Sequence, residues 1–127
     1  MTTGEVTRLS TDVLVIGSGA AGMSAAIAAD EADARVLMVD RSLIGRGGAT
    51  VMAQMTVAVA LGDEVPDRWQ DHLADTIRAG RGLCDERLAH ILCETGPDAI
   101  RRLDRWHVGW ARHADGRICQ AMAPGHD

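Results

Sequence analysis

The chain has 127 residues, the length of one small domain. Apolar residues make up 46% and charged residues 24%, a globular balance that excludes a disordered polymer. A net charge of -5, with three Trp and no Phe or Tyr, excludes both a basic phosphate-tracking stripe and a base-stacking platform, so nucleic acid is not an expected partner.

The first ten residues are a polar lead-in with Glu5 and Arg8 and no hydrophobic signal core. Asp12 to Ile16 is a short apolar, β-branched run ending at glycine, which predicts a buried strand of a parallel sheet covered on both faces. Gly19 to about Ala32 is Ala-rich, with Met23 and Ile27 four apart, and predicts a helix with small residues on its packing side. Arg35 to Val39 predicts a second buried strand, closing at Asp40. Strand, helix and strand occupy about thirty residues, the size of a βαβ unit. A glycine cluster, Gly45, Gly47 and Gly48, then precedes the small-residue segment Ala49 to Leu61, which is too short and too polar to span a bilayer.

After Pro66 the pattern becomes helical. Trp69, Leu73 and Ile77, then Leu83, Leu88, Ile91 and Leu92, then Ile100 and Leu103 predict three amphipathic helices. Their breaks are expected at Ala79 to Gly82 and at Gly96-Pro97. Trp106 to Trp110 fits no template, Ala114-Asp115-Gly116 predicts a turn, and Arg117 to Ala123 is a candidate strand. The expected fold is α/β: a Rossmann-like βαβ unit and its loop (about 11–62), then a mainly helical continuation (about 63–127). Only two strands are strongly signalled, so the chain reads as the N-terminal part of an incomplete doubly wound domain.

The chemistry-bearing motif is Gly17-Ser18-Gly19-Ala20-Ala21-Gly22, a G-x-G-x-x-G hexamer. The pattern alone is weak, but here it follows a predicted strand and opens a predicted helix. Gly17 permits the tight turn, Gly19 lets the backbone approach a pyrophosphate, and Gly22 lets helix and strand pack closely. The unpaired amides and dipole of the helix start then face the phosphate charge. Asp40 lies eighteen residues after Gly22, where an acid can accept from the ribose hydroxyls of an adenosine and would repel a 2′-phosphate. Arg41 beside it is a candidate for the adenine or phosphate. This unit alone does not separate NAD from FAD, and the bland alternative is a bare glycine-rich turn.

Other candidates read more plainly. His72 and Asp75 share a helix face and are expected to be a hydrogen-bonded or surface pair rather than a catalytic one. His90 and Cys93 lack a second ligand pair, so no metal site is expected. Arg101, Arg102 and Arg105 read as a solvated face near Asp98 and Asp104, and the three tryptophans as core packing. Cys84, Cys93 and Cys119 show no C-x-x-C spacing, and an odd count fits a reducing, cytoplasmic compartment.

The stretch Gly47-Gly48-Ala49-Thr50-Val51-Met52-Ala53-Gln54 followed by Val57 to Gly62 resembles the flavin-contacting segment of one family. So do Trp69 to Thr76, Ala79 to Asp85, Gly96 to Ile100, Gly109 to Arg112, Asp115 to Ile118 and Gly125-His126, in that order. The family is that of the succinate dehydrogenase and fumarate reductase flavoprotein subunits, which includes L-aspartate oxidase. The resemblance implies FAD as cofactor, hydride transfer at flavin N5 and a C4-dicarboxylate substrate. It implies that Gly17 to Gly22 hold the pyrophosphate and Asp40 and Arg41 the adenosine end. Gly47, Gly48, Ala49, Thr50, Ala53 and Gln54 would line the flavin. An iron–sulfur subunit is an implied partner, and a site peripheral to the inner face of a membrane an implied location. The catalytic residues would lie downstream of Asp127. Two departures stand out. Ala49 occupies the position of the histidine that links covalently to flavin in membrane-complex members, so FAD is expected to be non-covalent. Met55-Thr56 stands where the family usually has two glycines, which bears on the substrate. The alternatives are an L-aspartate oxidase-like enzyme and a non-catalytic nucleotide-binding fragment.

Overall fold

The computed structural model describes residues 6–53 and 56–121. The chain divides into two compact units, Met1–Thr56 and Val57–Asp127.

The first unit is built on β1 (Val13–Ile16), α1 (Ala20–Asp30), β2 (Val36–Val39) and a single-turn α2 (Ala49–Met52). The two strands pair in parallel, in the register Val13↔Val36, Leu14↔Leu37, Val15↔Met38 and Ile16↔Val39. Parallel neighbours need a crossover, and α1 supplies it. The helix packs against both strands. Val15 is buried on the α1 side, while Leu14 and Ile16 are exposed, as alternation along a strand requires. The expectation of a sheet covered on both faces is therefore met on one face only among the described residues. α1 ends in a left-handed cap: Asp33, with φ 59°, occupies the position usually given to glycine. The Ala34 amide donates to the Ala29 carbonyl at 3.1 Å and the Asp33 amide to the Asp30 carbonyl at 2.9 Å, the paired bonds of a Schellman motif.

The second unit packs α3 (Trp69–Gly80) against α4 (Glu86–Arg105). The expected break at Gly96-Pro97 does not occur: α4 runs through both residues. Pro97 removes one intrahelical donor and would cost about 3 kcal/mol in an unsupported helix. Three features offset this. The Asp85 side chain caps the start by accepting from the Leu88 amide at 3.0 Å. The end closes in a second Schellman motif, with His107 at φ 62°. Between them the stripe Ala89, Cys93, Gly96 and Ile100 faces inward, with Cys93 fully buried. Gly96 serves packing rather than interruption, since a Cβ there would lie 2.9 Å from Val59 Cγ2.

The apolar residues read as helix core divide accordingly. Ile100 is buried, but Leu83, Leu88, Ile91 and Leu92 are exposed. No tryptophan joins the fully buried set either. Trp69 is half-buried and packs edge-on against His90 (centroids 5.1 Å apart), and Trp106 lies under the Arg102 guanidinium. The turn at Ala114 to Gly116 forms as expected, with Gly116 at φ +89°. Of the candidate strand after it, the described residues show a single antiparallel bridge, Arg112↔Ile118, and Met122 and Ala123 lie outside the described residues.

Polar pairs tie this tail to the segment before α3. Glu64 and Gln120 exchange backbone-to-side-chain hydrogen bonds of 3.1 and 2.7 Å, and His113 Nε2 lies 3.1 Å from Glu64. Arg101 reaches Asp63 at 3.3 Å and the Leu61 carbonyl at 3.4 Å, so this arginine is not simply solvated.

Candidate cofactor site

The site is assembled in the first unit, at the ends of β1 and β2. Gly17 leaves β1 with φ +105°, a conformation that favours glycine, and its amide donates to the Val39 carbonyl at 2.8 Å. The turn then feeds directly into α1. A Cβ on Gly22 would lie 2.0 Å from the Gly17 carbonyl oxygen, so the first turn of α1 sits on the backbone of the loop it follows. Neither Gly17 nor Gly48 has any atom within 4 Å of where a Cβ would stand, which leaves the backbone open at both positions. α1 carries no acidic residue in its first turn, and Gly19 gives it no side-chain cap. The positive end of the helix is thus not neutralised by α1's own first-turn residues or its N-cap.

Asp40 closes β2 and organises the loops around it. Its Oδ2 accepts from the Ser18 amide and the Ser18 hydroxyl, both at 2.7 Å. Its Oδ1 accepts from the Ser42 amide and the Ser42 hydroxyl, both at 2.8 Å. These four donors hold the Asp40 carboxyl far below the usual carboxylate range, the Ser18 hydroxyl contributing most. Ser18 Oγ in turn accepts from the Gly45 amide at 3.1 Å. Ser18 is almost fully buried, and both of its donors point into this cluster. Gly47 packs on the same cluster, where a Cβ would fall 2.2 Å from Ser42 Oγ and 3.4 Å from Asp40 Oδ1. Arg41 is exposed.

The glycine-rich segment returns to the phosphate turn through Thr50. Gly48, with φ 76° and ψ −178°, opens α2. Thr50 Oγ1 then accepts from the Ala20 amide at 3.0 Å, and it lies 3.3 Å from where a Gly19 Cβ would be. So Gly17 to Gly22, Asp40, Gly47, Gly48 and Thr50 converge in one unit. Ala49 and Ala53 lie on and just after α2, exposed, and Gln54 is outside the described residues, as is Gly125-His126. Sequence reasoning missed the two serines as partners of Asp40. The signal available was their placement: one inside the hexamer and one two residues after the acid.

The other candidates lie in the second unit and have structural partners. Asp75 is buried and pairs with Arg78 at 2.6 Å. His90 lies 3.5 Å from Glu94 and against Trp69. Cys93 lies 3.7 Å from the Thr76 hydroxyl; that hydroxyl already donates to the His72 carbonyl, so the thiol is the donor. Among the described residues no group of three or more metal-ligating side chains occurs, and no helix is long and apolar enough to cross a membrane.

Comparison with known proteins agrees with this geometry. A family model described as an FAD binding domain matches residues 12–127. The L-aspartate oxidase of Streptomyces coelicolor is 38% identical over 118 residues, covering 93% of this chain and 20% of that protein. The succinate dehydrogenase flavoprotein subunit of Coxiella burnetii is 32% identical over 115 residues, covering 91% of this chain and 20% of that protein. Among solved structures, the Mycobacterium smegmatis Sdh1 complex in the apo form superposes with a TM-score of 0.89 at 38% identity, over 95% of this chain and 20% of that one. The chain therefore spans about a fifth of the length of the relatives it matches.

Proposed function

The chain belongs to the FAD binding domain family, and from that premise we propose that it is the dinucleotide-gripping segment of a flavoprotein oxidoreductase of the fumarate reductase and succinate dehydrogenase type. The observation that carries this reading is the convergence, within one unit, of an open glycine turn, an α1 start with no acidic residue or N-cap side chain of its own, and the Gly47 to Thr50 segment, whose Thr50 hydroxyl accepts from the Ala20 amide. The two-stranded sheet is, on this reading, part of a doubly wound domain.

The residues fit FAD. The Gly17, Ser18 and Ala20 amides are bonded to Val39, Asp40 and Thr50, so the other amides of the Gly17 to Gly22 turn would hold the pyrophosphate, with the positive end of α1 behind them. Asp40 and Arg41 stand at the adenosine end. Gly47, Gly48, Ala49, Thr50, Ala53 and Gln54 would line the flavin, where small side chains and backbone could lie flat against a ring. FAD supplies hydride acceptance and donation at N5, and the protein supplies binding, orientation and exclusion of water. The substrate of the complete protein is a C4 dicarboxylate, its electron partner an iron–sulfur subunit, and its location cytoplasmic, at the inner face of a membrane through that partner. Ala49 has no imidazole to bond to the flavin, so the cofactor is held non-covalently.

The test is made on the native protein. Acid precipitation should release all yellow colour to the supernatant. Under argon, succinate should bleach the flavin, and fumarate should restore the colour of the dithionite-reduced protein. Lack of response to either ligand would overturn the substrate class. A second reading, an L-aspartate oxidase-like enzyme, is supported by Ala49 and by the Streptomyces relative. Hydrogen peroxide formed from L-aspartate in air would select it.

A further inference from the structure

We propose that Asp40 is a positioning residue rather than a ribose ligand. Its carboxylate clasps Ser18 of the phosphate turn to Ser42 of the loop leading to the flavin segment. It thereby fixes the spacing at which the two parts of FAD are gripped.

A carboxylate offers about four lone-pair directions. Here all four are taken: the Ser18 amide and hydroxyl fill Oδ2, and the Ser42 amide and hydroxyl fill Oδ1. A ribose hydroxyl that bonded to Asp40 would have to displace one of these donors. Two further contacts carry the clasp forward along the chain. The Gly45 amide donates to Ser18 Oγ, and Gly47 lies so close that a Cβ would strike Ser42 Oγ. One carboxylate thus ties together the ends of β1 and β2 and two of the glycines before α2. Charge-assisted bonds of this length are the stronger kind, and a cluster with every member satisfied rigidifies its loop. The energetic benefit is preorganisation: a loop already ordered loses less entropy when the cofactor binds.

The inference rests on the FAD reading, and the experiment separates the two. Cofactor is stripped from the native protein, and FAD and NAD are titrated into wild type, Asp40→Asn, Ser42→Ala and the double variant, FAD by flavin fluorescence and NAD by titration calorimetry. Amide hydrogen exchange at Ser42 and Gly45 is measured in the cofactor-free proteins. With a clasp, Asp40→Asn weakens FAD binding about 10- to 100-fold and Ser42→Ala about 10-fold. The double variant then stays within about 3-fold of Asp40→Asn, because both changes break one network. Exchange at Ser42 and Gly45 accelerates in the absence of any cofactor. If instead the two losses multiply and cofactor-free exchange is unchanged, Asp40 acts on the cofactor directly and the clasp is refuted. Should Asp40→Asn not fold, Ser18→Ala takes its place in the same cycle. Binding of NAD and not FAD by the wild type would defeat the FAD reading itself, a result separate from either outcome of the cycle.

Discussion

Gly22→Ala tests the packing of the phosphate turn most directly. The new Cβ would stand 2.0 Å from the Gly17 carbonyl oxygen, 3.1 Å from its carbon and 3.4 Å from Val15 Cγ1. A carbon–oxygen contact settles at about 3.4 Å, so α1 must retreat by on the order of 1 Å. The neighbour is backbone and cannot rotate away. Overpacking costs about 1–3 kcal/mol, and this contact belongs at the upper end. Alanine in the helix returns about 1 kcal/mol. The net loss is about 2 kcal/mol of stability, and withdrawal of the α1 amides weakens FAD binding about 30-fold if a similar loss falls on the site. Urea unfolding and a flavin fluorescence titration read the two effects. Gly109→Ala is the control, because nothing lies within 4 Å of its Cβ position. Equal unfolding midpoints for the two variants, with unchanged FAD affinity, would refute the close-packing account.

Thr50→Ala removes the acceptor for the Ala20 amide and should cost about 1 kcal/mol, with weaker FAD binding, while Thr50→Ser, which keeps the hydroxyl, should stay near wild type in both measurements. Gly96→Ala sets helix propensity, a gain of about 1 kcal/mol, against a clash with Val59 Cγ2; because valine is stiff at χ1 the clash wins, with a net loss of about 1 kcal/mol by thermal unfolding that Val59→Ala should relieve. Acidification tests Asp40: its carboxyl is depressed on folding, so its stabilisation is complete above the unfolded value of about pH 4 and drains away as pH falls below it. Asp40→Asn should flatten the stability profile below that pH, and an unchanged profile would show that the four hydrogen bonds contribute nothing to folding.

Local signals were enough to place the βαβ unit. The apolar runs of β1 and β2, the Ala-rich α1 and the G-x-G-x-x-G turn each draw on neighbours close in sequence, so the residues themselves determine them. The turn at Ala114 to Gly116 is legible for the same reason. The order of short motifs after Gly47 also points to the flavoprotein family by residue identity alone.

Tertiary structure decided the rest. Gly96-Pro97 carries a local breaker signal, yet α4 continues because its capped ends and buried stripe outweigh the lost hydrogen bond. Arg101 resembles any exposed arginine until the fold brings Asp63 within 3.3 Å. Asp40 is the clearest case. Its place at the end of β2 is written in the sequence, but Ser18 lies 22 residues away along the chain, and only the parallel pairing of β1 and β2 brings that serine onto its carboxylate. Sequence periodicity records which way a residue faces along its own element. It holds no record of which polar group waits there from another part of the chain.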